Sequence, residues 1–415
     1  MNLVTLITGI VIVMAVFELL LHGMPRMKRD LFIVAVLVAW GGFTSKYYYG
    51  PDIVIYSLLY DESWSLWDLV FGHYTGGYEI GYMFFNALCK TLGISFWGMT
   101  AVISTLFFLA VFMVLRRLKD KRVLALALVL VLLKDLIYAQ FRQCLAVSFF
   151  TFAVIEAEGW RNSGFARRKD ALFAVVLGLI AMSMHKSGMF MIPLTAVYYA
   201  LQPYKMRQNT WGVLLMILLM LVIVPTWSLI EFMTDALNLD PMVMDSIRLH
   251  LSFVNLRQTN LLVYGTVLVV LTCYARGQER KGFAIASASF GMIVIVLLYQ
   301  YYFMVDRLRS YFVLLIVYYA FNVMREAAVN RMPYVNITRQ ICEVVLLFFM
   351  IGKTYSFDKS SRIEQGDLLD ACTVFNLIDE DPWTVRQRQM EKGQRFWNSS
   401  QRSDTRYMIP AKETR

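Results

Sequence analysis

Apolar residues dominate this chain in long runs, from residue 3 to about residue 352, and the runs are continuous rather than alternating. Alternation of apolar and polar positions would predict membrane β-strands, whereas continuous runs approaching ~20 residues are typical of transmembrane helices. The pattern therefore predicts a helical bundle. Its apolar segments lie at 3–21, 31–45, 79–94, 96–115, 123–139, 141–157, 171–184, 187–201, 211–233, 260–276, 283–304, 307–323 and 339–352.

Composition places this bundle in a membrane. The chain has 415 residues, of which 58% are hydrophobic and 17% charged, and its mean hydropathy is +0.53. A soluble protein of this length would need far more polar surface, so we predict an all-α polytopic membrane protein. Residues 1–21 lack a basic n-region and a small-residue cleavage site, which predicts a retained first helix rather than a cleaved signal.

Lysine and arginine concentrate in short connections between the apolar segments, where the positive-inside rule assigns them to the cytoplasm. The net charge of +10 therefore reflects topology and does not indicate nucleic-acid binding. All of these connections can face the cytoplasm if one early segment does not cross the membrane. They are residues 25–30, 116–122, 161–170, 202–208, 275–282 and 324–339.

Segment 79–94 is the preferred exception, because it is short and begins with Glu79. We expect it to be re-entrant or interfacial, although another early segment could fail to span instead. About 12 transmembrane helices remain, within a range of about 11–14, with both termini on the outer face. The polar residues 353–415 form a separate tail of unknown role, so the transmembrane domain is predicted at 1–352.

The predicted outer face collects charged and polar side chains that the positive-inside rule does not explain. Arg142 and Gln143 begin one helix, and His185, Lys186 and Ser187 separate two apolar runs. The stretch 305–312 is expected to form a tight turn. That turn would carry Asp306, Arg307 and Arg309, while the first outer loop contributes the carboxylates Asp52, Asp61, Glu62 and Glu79. Ionisable groups at membrane depth are costly and usually functional.

Each of these residues also has a structural interpretation. Arg309 and Lys186 could snorkel to lipid headgroups, Arg307 could pair with Asp306, and His185 could be a buried, hydrogen-bonded histidine. The aromatic residues Tyr47–Tyr49, Trp64 and Trp67 are typical of an interfacial belt. The group as a whole favours a site for a charged, membrane-held ligand on which Arg142 and His185 converge.

Phosphate is the ligand that suits this set of side chains, because a guanidinium binds it in bidentate fashion and is permanently charged. Arg142 and one of Arg307 or Arg309 would hold a pyrophosphate. His185 would act as a general base or as a donor to phosphate, two roles that the sequence leaves open. The chain has no HExxH, GxSxG or Walker A motif, and its five cysteines have no metal-ligand spacing, so no metal site is predicted.

Four short motifs follow one another along the chain. They are "GPDIVIY" (50–56), "EIGY" (79–82), "FRQCLAVSFF" (141–150) and "SMHKSGMF" (183–190). In this order they resemble the EpsG family of bacterial exopolysaccharide polymerases, which are similar in role to Wzy polymerases. The family's usual Gly-Thr-Asp stands here as Gly-Pro-Asp. The resemblance covers residues 1–325 and does not include the tail.

This resemblance implies a fold of the GT-C type and a bacterial inner-membrane enzyme whose site faces the periplasm or exterior. Such an enzyme polymerises oligosaccharide repeat units linked to undecaprenyl pyrophosphate in the lipid bilayer. It uses no cofactor or metal, and it works beside a flippase and a chain-length regulator. The catalytic candidates are His185, Arg142, Asp52 and Glu79, and the binding candidates are Arg142, Gln143, Lys186, Ser187, Arg307, Arg309 and Tyr56.

Three other functions remain open at this point. A glycan ligase would pass the same lipid-linked glycan to a different acceptor. A membrane O-acyltransferase would use His185 as its base, with acyl-CoA arriving from the cytoplasm. A lipid-linked glycan flippase or transporter would carry the ligand without changing its chain length.

Overall fold

The fold is helical throughout the described part of the chain, and no strand occurs there. This confirms the predicted secondary structure. The computed structural model describes residues 3–20, 29–37, 56–57, 59–61, 66, 78–118, 121–133, 136, 140–201, 291, 302–329, 340, 343–352 and 354. Residues 234–259, the apolar segments 211–233 and 260–276, and Asp52 lie outside these residues, as does the tail beyond Thr354.

The helices follow the predicted apolar segments closely where the two can be compared. The described helices are α1 (Leu3–Leu20), α2 (29–37), α3 (Ile80–Thr91), α4 (Phe96–Arg116), α5 (Arg122–Leu132), α6 (Phe141–Asn162), α7 (Arg168–Met184), α8 (Lys186–Leu201), α9 (Tyr302–Val329) and α10 (343–352). Among them, α4 alone is both long and apolar enough to count as a membrane-crossing candidate by length and composition.

The chain divides into two compact units, and the boundary falls inside α6. The first unit comprises residues 1–145 and 340–415, and the second comprises residues 146–339. The predicted separation of a 1–352 transmembrane domain from the 353–415 tail remains a prediction.

In the first unit, α5 is the central helix, and both α1 and α4 pack against it. Residues Arg122 to Val131 are all buried. Lys121, just before α5, adopts a left-handed backbone with φ 52° and supplies no side-chain cap. Glu18 of α1 replaces that cap, because its Oε2 accepts the amides of Val123 and Leu124 at 3.0 and 3.1 Å. A carboxylate at this position also suits the positive end of the helix dipole.

Ion pairs surround this cap. Arg29 lies 3.6 Å from Glu18, and the guanidinium of Arg122 donates to Asp30. Lys121 lies 3.7 Å from Glu343 of α10. The basic connection that ends at residue 30 therefore meets the basic connection 116–122 at the same end of this unit.

In the second unit, α7 packs against α8, and α8 contacts α9. The core of this unit is aromatic near the start of α9. The rings of Tyr311 and Phe312 each meet Phe150 edge-on, with centroids 5.9 and 5.8 Å apart.

The predicted tight turn at 305–312 is wrong, because one continuous helix runs from Tyr302 to Val329. Charged residues that interrupt an apolar run do not break a helix whose backbone groups are paired within it. Asp306, Arg307 and Arg309 therefore all lie within the first three turns of α9. Ser310 adds a local bond by donating its hydroxyl to the carbonyl of Arg307 at 2.6 Å.

Candidate functional site

The first cluster of functional side chains, the Arg142 cluster, lies at the start of α6 in the first unit. It consists of Arg142, Glu79, Tyr56, Tyr78, Tyr82 and Phe141. Arg142 Nη1 donates to Glu79 Oε2 at 2.5 Å, and its Nε donates to the hydroxyl of Tyr56 at 3.3 Å. Two separate elements besides α6 thus hold the guanidinium.

Aromatic rings enclose this guanidinium. Its central carbon lies 4.9 Å from the ring centroid of Tyr78 and 5.6 Å from that of Tyr56. The Tyr56 ring in turn stacks on Phe141 at 5.6 Å and meets Tyr82 edge-on at 5.7 Å. Cation–π contacts and ring packing restrict the guanidinium in the directions that the hydrogen bonds leave unconstrained.

The ion pair in this cluster is mostly buried. The Glu79 side chain is 6% exposed, and that of Arg142 is 21% exposed. Its Nε and Nη1 groups are engaged in these hydrogen bonds. The Nη2 group has no acceptor among the residues that the structure describes. Arg142 can therefore accept a further oxygen ligand while Glu79 and Tyr56 keep it in place.

The structure brings together three of the site residues predicted from the sequence, Arg142, Glu79 and Tyr56. Gln143 follows Arg142 on α6 and is 1% exposed. Sequence reasoning missed the contacts of Tyr78 and Phe141 with this cluster. The available signal was adjacency, since Tyr78 precedes Glu79 and Phe141 precedes Arg142.

The second cluster, the His185 junction, lies in the second unit where α7 ends and α8 begins. It consists of His185, Ser187, Gly188 and Tyr311. Helix α7 ends at Met184 and α8 starts at Lys186, which confirms the predicted helix boundary. His185 itself has an extended backbone, with φ −157° and ψ 136°, and is 8% exposed.

Hydrogen bonds connect the junction to α9. His185 Nδ1 lies 2.6 Å from Ser187 Oγ and accepts the backbone N–H of Ser187 at 3.2 Å. Ser187 Oγ lies 3.1 Å from the hydroxyl of Tyr311, which is fully buried. The histidine therefore caps the start of α8 with its side chain, and a tyrosine from a distant part of the chain supports the cap.

Gly188 makes room for this arrangement. A Cβ atom at residue 188 would lie 2.9 Å from the carbonyl oxygen of Ala181 and 3.2 Å from the hydroxyl of Tyr311. The first of these distances is shorter than a normal carbon–oxygen contact. Glycine thus permits α7, α8 and the Tyr311 side chain to meet.

The other predicted site residues of this unit, Arg307, Arg309 and Lys186, occupy different positions. Arg307 precedes Tyr311 by four residues and lies on the same side of the helix, whereas Arg309 precedes it by two and lies on a different side. The arginines are both partly buried, and Lys186 on α8 is exposed. Sequence reasoning missed Tyr311, although its spacing from Arg307 was a usable signal.

The part of the chain that the structure describes contains no group of three or more His, Cys, Asp or Glu residues that could hold a metal ion. Cys89 and Cys144 are free and buried, as expected for small core residues. That Arg142 and His185 converge on one ligand remains a prediction, as does metal independence.

The sequence pattern of the EpsG family matches residues 30–364, and this range includes both clusters. The chain belongs to the EpsG family, which confirms the resemblance seen in its motifs. Membership in this membrane-associated family supports a membrane protein with a polysaccharide polymerase-like role. Comparisons with curated proteins and with solved structures give no match.

Proposed function

We propose that this protein is a multi-pass glycosyltransferase of the bacterial inner membrane that polymerises oligosaccharide repeat units carried on undecaprenyl pyrophosphate. The observation that carries the proposal is the Arg142 cluster, which lies inside the EpsG match and holds a partly exposed guanidinium with an available nitrogen. The active site faces the periplasm or the exterior, and the fold is of the GT-C type.

In the proposed reaction, an acceptor sugar hydroxyl forms a bond to the anomeric carbon of the growing chain. The bond from that carbon to the pyrophosphate oxygen breaks, so negative charge develops on the leaving diphosphate. A guanidinium that is already positioned stabilises this charge without reorganising during the reaction. Arg142 has this role, and its Nη2 group is the donor to the diphosphate oxygen.

Glu79 is better suited to positioning than to proton abstraction. Its Oε2 accepts from Arg142 at 2.5 Å, and the side chain is only 6% exposed. A carboxylate in this position orients the guanidinium and offsets the cost of burying it. Asp52, which lies four residues before Tyr56 in the sequence, is the other loop carboxylate among the catalytic candidates and is the rival to His185 as general base.

Contacts of α3 support a topology in which this helix does not cross the membrane. It has 12 residues and is therefore about 18 Å long. Near its start, Tyr82 meets Tyr56, and near its end, Lys90 Nζ donates to the carbonyl of Asp61 at 2.8 Å. Tyr56 and Asp61, both from the predicted outer loop, thus contact α3 near its two ends, and this association with the loop supports a re-entrant or interfacial segment.

The pairing of Arg122 with Asp30 supports the same topology. It joins the ends of two basic connections that both belong in the cytoplasm. An even number of crossings must then separate residues 30 and 116, and segments 31–45 and 96–115 supply two. Cysteine labelling in a variant without native cysteines tests this arrangement. A Leu92→Cys probe should react from outside and an Arg117→Cys probe only after permeabilisation.

The function is tested with purified protein and the lipid-linked oligosaccharides extracted from cells that lack it. A ladder of products that differ by one repeat unit supports the polymerase. A single transfer to a different acceptor would instead identify a ligase, and an unchanged oligosaccharide would contradict both.

Arg142→Lys sharpens the test. A lysine keeps the charge but cannot reproduce the guanidinium's simultaneous bonds to Glu79, Tyr56 and a ligand. We expect polymer formation to fall about 10²-fold, as for the loss of one preorganised donor. Arg168→Ala is the control, because Arg168 is exposed at the start of α7. A fully active Arg142→Lys protein would contradict the assigned role.

A further inference from the structure

Hydrogen bonds fix the short connection between α3 and α4. Helix α3 ends in a Schellman motif, in which the amide of Ile94 donates to the carbonyl of Cys89 at 2.9 Å. Gly93 supplies the left-handed backbone that this motif requires, with φ 69°. Ser95 then caps α4, because its side chain accepts an amide of the first turn at 3.2 Å. The position of the Ile94 carbonyl is therefore set by bonds on both sides of it.

A short helical stretch of the predicted outer loop contacts this connection. Residues 56–57 and 59–61, here called the tyrosine turn, are helical, and both of its tyrosines are buried. The Tyr60 hydroxyl donates to the Ile94 carbonyl, and its ring packs against Phe96 with the centroids 5.9 Å apart. One tyrosine side chain therefore joins the tyrosine turn to the connection between α3 and α4.

Lys90 supplies a second anchor at the end of the tyrosine turn. Its Nζ group donates to the carbonyl of Asp61 at 2.8 Å and to that of Tyr60 at 3.4 Å. A cationic side chain at the carbonyl end of a helical stretch satisfies acceptors that lack an amide partner. It also suits the negative end of the backbone dipoles. The end of the tyrosine turn is thus held at two points.

The beginning of the tyrosine turn lies in the Arg142 cluster. Tyr56 precedes Tyr60 by four residues, which is about one helical turn, and its hydroxyl accepts from Arg142 Nε at 3.3 Å. Its ring lies 5.6 Å from the guanidinium carbon and stacks on Phe141. A displacement of the tyrosine turn would therefore move both the hydroxyl and the ring that hold Arg142.

We propose that Tyr60 is a positioning residue for Arg142. It anchors the tyrosine turn on the connection between α3 and α4, and the turn holds Tyr56 against the guanidinium. Lys90 supports the same anchor, and neither residue needs to touch the ligand. The effect on turnover rests on the proposed function, whereas the anchor rests on the contacts alone, so the two parts can fail separately.

Hydrogen–deuterium exchange of the purified full-length protein tests the anchor without any enzymatic activity. Tyr60→Phe removes the hydroxyl and keeps the ring, so the amides of residues 56–61 should exchange about two- to tenfold faster, as for one lost hydrogen bond. Thr105→Val is the matched control, because it removes a hydroxyl that donates to the Ala101 carbonyl at 2.8 Å within α4. It should leave exchange at 56–61 unchanged. Unchanged exchange in Tyr60→Phe, or an equal increase in both variants, would overturn the anchor.

Steady-state kinetics with the lipid-linked oligosaccharide tests whether the anchor acts on Arg142. Because Arg142 is proposed to stabilise charge that develops on the leaving diphosphate, Tyr60→Phe should lower kcat about two- to tenfold and leave KM near the wild-type value. A purely structural loss would lower the amount of folded protein and change neither constant per folded molecule. Unchanged constants, or a raised KM with an unchanged kcat, would overturn the positioning role.

The double variant Tyr60→Phe with Tyr56→Phe identifies the route of this effect. Once the Tyr56 hydroxyl is absent, the anchor no longer holds a hydrogen-bond acceptor against Arg142. The kcat of the double variant should therefore lie within about twofold of the kcat of Tyr56→Phe alone. Losses that multiply fully would show that Tyr60 acts by another route and would overturn the proposal.

A pair of substitutions tests Lys90. Lys90→Met removes the donor and should speed exchange at 56–61 and lower kcat, each about two- to threefold, because the lysine is exposed to solvent. Lys90→Arg keeps a cationic donor and should restore both quantities toward the wild type. Equal effects of the two substitutions would contradict the role of Lys90. A wild-type protein that forms no polymer would contradict the proposed function, and the exchange measurements would still decide the anchor.

Discussion

The Arg142 cluster and the His185 junction both hold polar groups at the ends of apolar helices, but different forces hold them. Arg142 is fixed by an ion pair with Glu79 and by the faces of Tyr56 and Tyr78. His185 is fixed by a series of hydrogen bonds that runs through Ser187 to Tyr311, within space that only glycine leaves open. The first arrangement depends on charge balance and the second depends on available volume.

This difference determines which substitutions each region tolerates. A buried ion pair is costly to desolvate, and removing one member leaves the other uncompensated. A hydrogen-bond chain without an ion pair has no partner charge to lose, but it requires its donors and acceptors to stay within a few tenths of an ångström. Charge changes should therefore affect the Arg142 cluster most, and volume changes should affect the His185 junction most.

The largest effect is expected for Glu79→Ala. It removes the partner of the largely buried Arg142. Removing one member of a buried ion pair lowers the free energy of unfolding by about 3–5 kcal/mol, and we expect the lower value here because Arg142 is partly exposed. Thermal unfolding of the detergent-solubilised protein measures the loss. The double variant Glu79→Leu with Arg142→Met removes both charges and should recover most of the stability while forming no polymer. Equal instability of the single and double variants would show that charge balance is not what holds this cluster.

A smaller effect is expected for Gly188→Ala. The added methyl group meets the carbonyl of Ala181 and the hydroxyl of Tyr311, and overpacking of this kind costs about 1–3 kcal/mol. Gly178→Ala is the matched control. A Cβ atom at residue 178 would lie 3.8 Å from a side-chain carbon of Ile192, which is an ordinary van der Waals contact. The control should be neutral or slightly stabilising. If both variants unfold at the same temperature, volume does not limit the junction.

The smallest effect is expected for Tyr56→Phe. It removes the hydroxyl that accepts from Arg142 at 3.3 Å but keeps the ring that stacks on Phe141. The expected cost is about 0.5–1.5 kcal/mol. Tyr56→Leu, which also removes the ring, should cost more. If the two variants are equally stable, the aromatic contacts contribute little to holding Arg142.

The sequence predicted the helix ends better than it predicted the contacts. Charged residues between apolar runs located the start of α6 and the junction of α7 with α8, because such residues are disfavoured within hydrocarbon. The same reasoning failed at Asp306, where a helix accommodates the charge without interruption. The partnership of Ser187 with Tyr311 spans 124 residues of sequence, and no local pattern reports a contact of that range.

The cap on α5 has a consequence for how the protein is made. Glu18 accepts the amides of Val123 and Leu124, which follow it by 105 and 106 residues, so the first turn of α5 is completed by a helix synthesised much earlier. The contact between α1 and the first turn of α5 therefore cannot form until those amides have been synthesised, although Arg29 is available to Glu18 much earlier. Assembly of the first unit is thereby linked to the order in which the ribosome delivers its parts.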